Sequence, residues 1–454
     1  MKKICLTILL AAAAASVAAQ QTMSLGECID KARANNKEIL MKDKKIAEAE
    51  QTVLSVRGHL LPQVSASGIA AWNSSEGTLM ELPPIAFDLP LSNTTLPIDF
   101  PGLDLDYSVG GVYHAGVSVQ QPLFMGGKIL SGYRMAKLGE EVAHEQRALT
   151  EAEVVYQTCR AYFLLLKAQQ LDSVATAALL AADEVVRTIE AAGQRGMAMQ
   201  TDRQKAEVAR GELQLAARKA KNGVRLAQRN LCVQMGLPPT QVLAASVSEG
   251  LFMQSVPTAA DGDIEERPEY RMLEAQVRLN REKVITARSE MLPQVGVQGS
   301  YGYLHGLKVA DNTVFDGGSF TLLASVKIPL WQSGLARHNM EAARIGLEHS
   351  ELERDMLAER MGLEQLQAAN AYDEALLRHE LSRTSLALAE QNMSLTQKKH
   401  SVGQATAADM LSEQAQLQKA QEEEVEAMCY VYLSLLRLMQ TAGRLLQAID
   451  ATRL

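Results

Sequence analysis

The sequence predicts an α+β membrane protein in which long antiparallel coiled-coil helices carry four short strands. Three observations predict it. Two proline-free stretches of helical periodicity each run for about 65 residues. The chain repeats itself internally. Four segments beside the prolines alternate apolar and polar residues.

From Gly334 to about His400, apolar residues fall at Ile345, Leu352, Met356, Leu363 and Leu366, with gaps of 7, 4, 7 and 3. That is a stripe of coiled-coil type. At ~1.5 Å per residue the stretch makes a rod roughly 100 Å long. A second rod, from Gly127 to about Gly193, carries Met135, Leu138, Val142, Leu149, Tyr156, Cys159, Phe163 and Leu166 in the same manner.

The duplication extends beyond the rods. Leu61-Pro62-Gln63-Val64 recurs as Leu292-Pro293-Gln294-Val295, an offset of 231, with Asn36 opposite Arg267. Pro122-Leu123-Phe124 recurs as Pro329-Leu330-Trp331, an offset of 207. The pairs Gly196 and Gly403, Asp202 and Asp409, and Gly236 and Gly443 keep that offset. Matched points at constant offset mark a true repeat.

Taken in order, residues 1–19 read as a signal peptide, with Lys2 and Lys3 before an apolar run and a small-residue end. The first repeat spans 20–236, a linker spans 237–266, the second repeat spans 267–446, and a tail covers 447–454. Within the first repeat, a helix from Leu25 to His59 stops at Pro62, and a strand follows over about Gln63–Asn73. Pro83, Pro84, Pro90, Pro97 and Pro101 make Ser74 to about Val109 an irregular exposed loop. A second strand spans Gly111–Gln121, with Tyr113, Ala115, Val117 and Val119 on one face and His114, Gly116, Ser118 and Gln120 on the other. The first rod turns near Gly193–Gly196 and a shorter helix returns to Met235. The second repeat runs in parallel: a helix over about Pro268–Glu290, strands over Gln294–Leu304 and Phe320–Pro329 with a short loop at Asp311–Gly318, the second rod, a turn near Gly403, and a return helix.

Composition excludes several classes. Aromatic residues are only 4% and the formal charge of -8 includes no basic run that suggests nucleic acid. Cys28, Cys159, Cys232 and Cys429 are too widely spaced for a zinc or redox motif, and Cys5 lies in the signal core. No G-x-S-x-G, H-E-x-x-H or P-loop occurs, so no catalytic, cofactor or metal site is assigned. After the signal no apolar run is long enough for a transmembrane helix.

If the chain crosses a membrane, its strands must do so. Strands of about 11 residues tilted by ~45° have the required length. Their apolar faces suit lipid and their polar faces a wet lumen. Four strands cannot close a barrel, and open edges are not tolerated in lipid. Three copies sharing twelve strands resolve this, with the helices forming a second cylinder.

The ordered set of motifs is similar to the TolC-like outer-membrane efflux protein family, the outer-membrane factors. The motifs are the duplicated Leu-Pro-Gln entries, the Pro-Leu-(Phe/Trp) exits, Glu266-Arg267-Pro268-Glu269, and the Gly-plus-six-Asp tips. The resemblance covers about residues 22–446. It implies a homotrimer with a shared 12-stranded outer-membrane barrel and a periplasmic α-barrel. It also implies docking to a periplasmic adaptor protein and an inner-membrane transporter, in efflux or type I secretion. The expected place is the outer membrane of a Gram-negative bacterium, in contact with its lipid.

By the same resemblance, the helix tips gate the conduit. Asp409 matches an acidic residue at the family's constriction, His400 stands at an aromatic position, and Asp202 is its acidic partner. Ala405 stands where the pattern has an arginine, and Ser412 where it has a second acid, with Glu413 next. The gate candidates are therefore Asp202, His400, Asp409 and Glu413, around tip turns at Gly196 and Gly403. Asp202 and Asp409 also suit helix caps. Phe124 and Trp331 are placed as membrane-interface aromatics. The alternatives, a periplasmic adaptor or a coiled-coil spacer, fit the duplicated rods and amphipathic strands less well.

Overall fold

The structure, a computed structural model, describes residues 21–91, 94–101, 103–194, 200–241, 243–245, 263–309 and 312–451. The expected signal peptide, Gly196 and residues 246–262 of the expected linker lie outside these.

In chain order the elements are β1 (Gln21–Met23), α1 (Leu25–Asn35), α2 (Lys37–Gly58), β2 (Gln63–Leu82), β3 (Ile85–Leu91), β4 (Thr94–Phe100), β5 (Leu103–Met125), α3 (Lys128–Gln194), α4 (Gln200–Gln234) and β6 (Leu243–Ala245). A short 3-10 turn, Ile264–Glu266, leads to α5 (Pro268–Ser289), β7 (Gln294–Val309), β8 (Asn312–Lys327), α6 (Leu335–Ser401), α7 (Ala407–Thr441) and α8 (Leu445–Ala451). The rods α3 and α6 each have 67 residues, and the return helices α4 and α7 each have 35. All four helix boundaries recur at an offset of 207, as Lys128 to Leu335 and Gln234 to Thr441 show. Helices α2 and α5 have 22 residues each and recur at 231.

The single helix expected over Leu25–His59 is two helices. Asn36 takes an extended conformation, φ -65° and ψ 126°. Its Oδ1 accepts from the Glu38 amide and its Nδ2 donates to the Gln234 carbonyl, both at 2.8 Å. One amide side chain thus caps α2 and binds the end of α4.

The chain divides into two compact units. One comprises Met1–Glu48, Glu140–Gln276 and Glu351–Leu454. Its core joins Cys28 and Ile29 of α1, Val155, Cys159 and Leu165 of α3, Leu231 of α4, and Leu435 and Met439 of α7. Phe163 and Tyr432 stack in it with centroids 4.7 Å apart. Strands β1 and β6 pair in parallel at its edge. The apolar stripe that marked the second rod is not part of this core: Leu352, Leu363 and Leu366 are exposed, and α6 buries Ala368, Tyr372 and Ala375 instead. The buried side of α6 is mostly alanine and serine with Tyr372 and Met393, and the larger leucine stripe is left uncovered within the chain.

The second unit comprises Ala49–Gly139 and Val277–Ser350. It holds a four-stranded antiparallel sheet in the order β2-β5-β7-β8, and the hairpin β3–β4. The loop expected over Ser74–Val109 is mostly strand. Pro90 and Pro97 fit because, among the described residues, β3 and β4 pair only with each other, leaving each a side where a missing N–H is tolerated. Pro83, Pro84 and Pro101 fall between strands. The short loop expected over Asp311–Gly318 is also shorter, since β8 already includes Asn312–Gly318. Pro122 does not end its strand: β5 continues to Met125, and beyond Gln120 it pairs on one side only.

Candidate functional site

The register of the sheet sorts its side chains into two faces. On one face Ser65, Ser118, Ser300 and Thr321 stand in a row, and Gln63, Gln120, Gln298 and Leu323 in the next. Ser65 and Ser118 share a hydrogen bond of 2.9 Å between their Oγ atoms. On the other face Ala66, Val117, Tyr301 and Phe320 form a row, and Val64, Val119, Gly299 and Leu322 form another. The apolar face is open: Phe320 is 71% and Leu322 69% exposed. A sheet with one Ser/Gln face and one bare apolar face suits water on one side and lipid on the other.

Among the described residues both outer strands, β2 and β8, have one unpaired edge. Such edges pair with other strands or are covered.

Near the start of the first rod, the register shifts between Pro122 and Phe124. Even-numbered residues of β5 up to Pro122 share the polar face. The shift places Phe124 opposite Val295, on the apolar face. Phe124 is exposed there, and so is Trp331 in the turn after β8. Trp72, on the apolar face opposite Gly111, is a further exposed aromatic that sequence reasoning passed over. Its even position on β2 was the available signal.

The turn between α6 and α7 is closed on itself. Gly403 adopts φ +76°, where no side chain is needed and a Cβ is unfavourable. Its amide donates to the His400 carbonyl at 3.0 Å, and the Gln404 amide to the Lys399 carbonyl at 2.8 Å. The His400 Nδ1–H donates to the Ala405 carbonyl at 2.9 Å. Thr406 caps α7 in a reciprocal box with Asp409. The Thr406 amide and hydroxyl both donate to Asp409 Oδ2 at 2.8 Å. These bonds hold the exposed Asp409 carboxyl below its ordinary range. Thr406 was missed in the sequence, although Thr-x-x-Asp before a helix is a capping signal.

Of the other gate candidates, Glu413 is half-buried one turn further on α7. Asp202 is the third residue of α4, as Asp409 is of α7, but its side chain is outside the description, as is Gly196. Leu411 packs against Val186 and Ile189 of α3 and Ala206 of α4, so the start of α7 lies against the tip of the first hairpin.

The thiols of Cys28, Cys159, Cys232 and Cys429 are free and buried in the helical core. Burial pushes Cys28 up to about 12, with the Glu27 charge adding to it, and raises Cys159 as well.

A family model described as "Outer membrane efflux protein" matches residues 28–236 and 263–444. The chain is 24% identical over 346 residues to outer membrane efflux protein BepC of Brucella suis biovar 1 (strain 1330), covering 75% of this chain and 74% of that one. The Campylobacter jejuni CmeC outer membrane channel superposes with a TM-score of 0.76 at 15% identity, over 93% of this chain and 86% of that one. The open state of the Neisseria gonorrhoeae MtrE outer membrane channel gives 0.74 at 17% identity, over 93% and 89%.

Proposed function

The chain belongs to the outer membrane efflux protein family, and from that premise we propose how it builds its conduit. It is an outer-membrane efflux channel with a large periplasmic helical part. Three copies pair the free edges of β2 and β8 and close a twelve-stranded barrel, with the Ser/Gln face lining the bore and the apolar face in lipid. The exposed stripe of α6 is covered by helices of the neighbouring copy. The observation that carries this reading is the pair of unpaired strand edges on a sheet with one polar and one bare apolar face.

The channel is passive and carries no enzymatic step. It receives substrate from an inner-membrane pump through a periplasmic adaptor, as a tripartite efflux or type I secretion assembly. The tips around His400, Asp409, Glu413 and Asp202 form its periplasmic constriction, with three Asp409 carboxylates converging by symmetry. Phe124 and Trp331 mark the periplasmic interface of the membrane.

Single-channel recording in planar bilayers, with stoichiometry measured in the same detergent, tests this. A trimer with a small cation-selective conductance that grows in Asp409→Ala is expected. A monomer without channel activity sinks the conduit reading, and a large unselective conductance sinks the gate.

A further inference from the structure

We infer that the strand-lined bore is an anion-preferring section, set by Lys327 at one end and His114 at the other, and that acid strengthens the preference. This rests on the conduit reading above, because it takes the Ser/Gln face as the bore.

The register puts both cations on that face. Lys327 pairs with Gln294 at the start of the row sequence, and His114 pairs with Ile69 and Leu304 five strand rows away. Between them the rows hold Ser, Gln, Thr, Gly, Leu and Pro residues, with no carboxylate. In three copies this gives one ring of lysines and one of imidazoles with a neutral section between them.

The imidazole has a built seat. A Cβ on Gly302 would lie 2.7 Å from His114 Nε2, and one on Gly116 would lie 3.3 Å from its Cε1. The ring therefore lies along the wall over two glycines that leave it room. Among the described residues beside it on that side none is ionisable: its row holds Ile69, Leu304 and Gly317, flanked by Ser67, Ala71, Gly302 and Ser319, and the nearest cation position is Lys308 on β7, four residues beyond Leu304. The ion pair of His305 with Asp316, at 3.0 Å, belongs to the opposite face, where His305 pairs with Tyr113. The next carboxylate positions along the strands are Glu76 and Asp106, seven and eight residues on. At ~3.3 Å per residue that is roughly 23–26 Å, beyond the ~10 Å screening length in ordinary salt.

Histidine is the side chain that gains charge between neutral and mildly acid pH. Protonation adds three charges to a wall that carries three from Lys327. Anionic solutes leaving the channel are held by this section, and cations are not.

The test uses sucrose octasulfate, whose charge does not change over this range, added to the side of the strand loops in planar-bilayer recordings. In the parent channel, block events should lengthen severalfold from about pH 8 to about pH 5.5. His114→Gln should lose that pH dependence. Lys327→Gln should shorten the events severalfold at both pH values. A parent-like trimer on unheated gels and a parent-like frequency of insertion show that a variant is folded and inserted, and His114→Asn replaces His114→Gln if the latter forms no trimer. Blocking by either variant that matches the parent at both pH values overturns the inference. Absence of conductance in the parent itself would instead strike the conduit reading.

Discussion

Asp409 and Thr406 bind each other reciprocally: Asp409 Oδ2 accepts from the Thr406 amide at 2.8 Å, and the Asp409 amide donates to Thr406 Oγ1 at 3.1 Å. The carboxylate proposed to face the constriction therefore also starts helix α7. A variant at Asp409 changes two things at once, and Thr406 separates them. Thr406→Ala should weaken the helix start by about 1 kcal/mol. It should speed amide exchange over the first turn of α7 while leaving ion selectivity unchanged. Asp409→Asn should change selectivity.

The same pair sets a pH dependence. The Asp409 carboxyl is depressed by the Thr406 donors, so its stabilisation is complete above the unfolded value of about 3.9. It is lost as pH falls through the lower folded value. Amide exchange in the first turn of α7 should be constant from about pH 7 to 4.5, after correction for intrinsic rates, and rise only below about 4. Convergence of three carboxylates in the trimer would move that onset upward, so an onset above about 4.5 in the trimer but not in the isolated chain would report the acidic ring.

The buried thiols give the opposite sign. Burial raises Cys28 to about 12, so the folded chain holds the proton more tightly than the unfolded one. That stability is full below about 8.5 and declines as pH rises towards 12. Maleimide should fail to label Cys28, Cys159, Cys232 and Cys429 at neutral pH and label all four after denaturation. Rapid labelling of Cys28 in the folded protein would contradict its burial.

Gly236 and Gly443 occupy equivalent turns after the return helices, with φ +69° and +70°. Alanine at either meets the left-handed penalty of about 1–2 kcal/mol. At Gly236 the new Cβ would also lie 2.4 Å from the Asn35 carbonyl oxygen, whereas at Gly443 the nearest atom is Arg267 Cγ at 3.3 Å. Gly236→Ala should therefore destabilise more than Gly443→Ala, seen as a lower denaturant midpoint. Equal midpoints would show that the backbone at Asn35 yields freely.

Trp72 and Trp331 are the two tryptophans of the chain, 80% and 86% exposed. With Trp72→Phe, the remaining Trp331 emission should be quenched more by lipid brominated near the headgroup than by lipid brominated deep in the acyl chain. Quenching by neither would remove Trp331 from the membrane interface.

The rods were legible because helical periodicity accumulates over many residues. The expected spans Gly127–Gly193 and Gly334–His400 differ from α3 and α6 by one residue at each end. The strand faces were legible for a similar reason, as Tyr113 to Val119 shows. The break at Asn36 was not, because it depends on a bond to Gln234, distant in sequence. Nor was the strand content of 74–109, because prolines weigh against a strand only where both sides must pair. At the tip, His400 and Asp409 were picked by resemblance, but their contacts to Ala405 and Thr406 come from local turn geometry. The stripe Ile345 to Leu366 was read correctly as apolar and helical, yet periodicity does not say whether its cover lies in the same chain.

The constant offset of 207 between helix boundaries has an evolutionary consequence. One residue lost from α3 alone would turn everything beyond it by about 100° and draw its tip back by ~1.5 Å relative to α6. The two hairpins would then end at different depths and present different faces. A lineage that lengthens or shortens this protein must therefore edit both copies of the ancestral unit together, in steps near a heptad that restore the facing residues. The helical part can therefore change length without unlevelling its two tips only in paired increments.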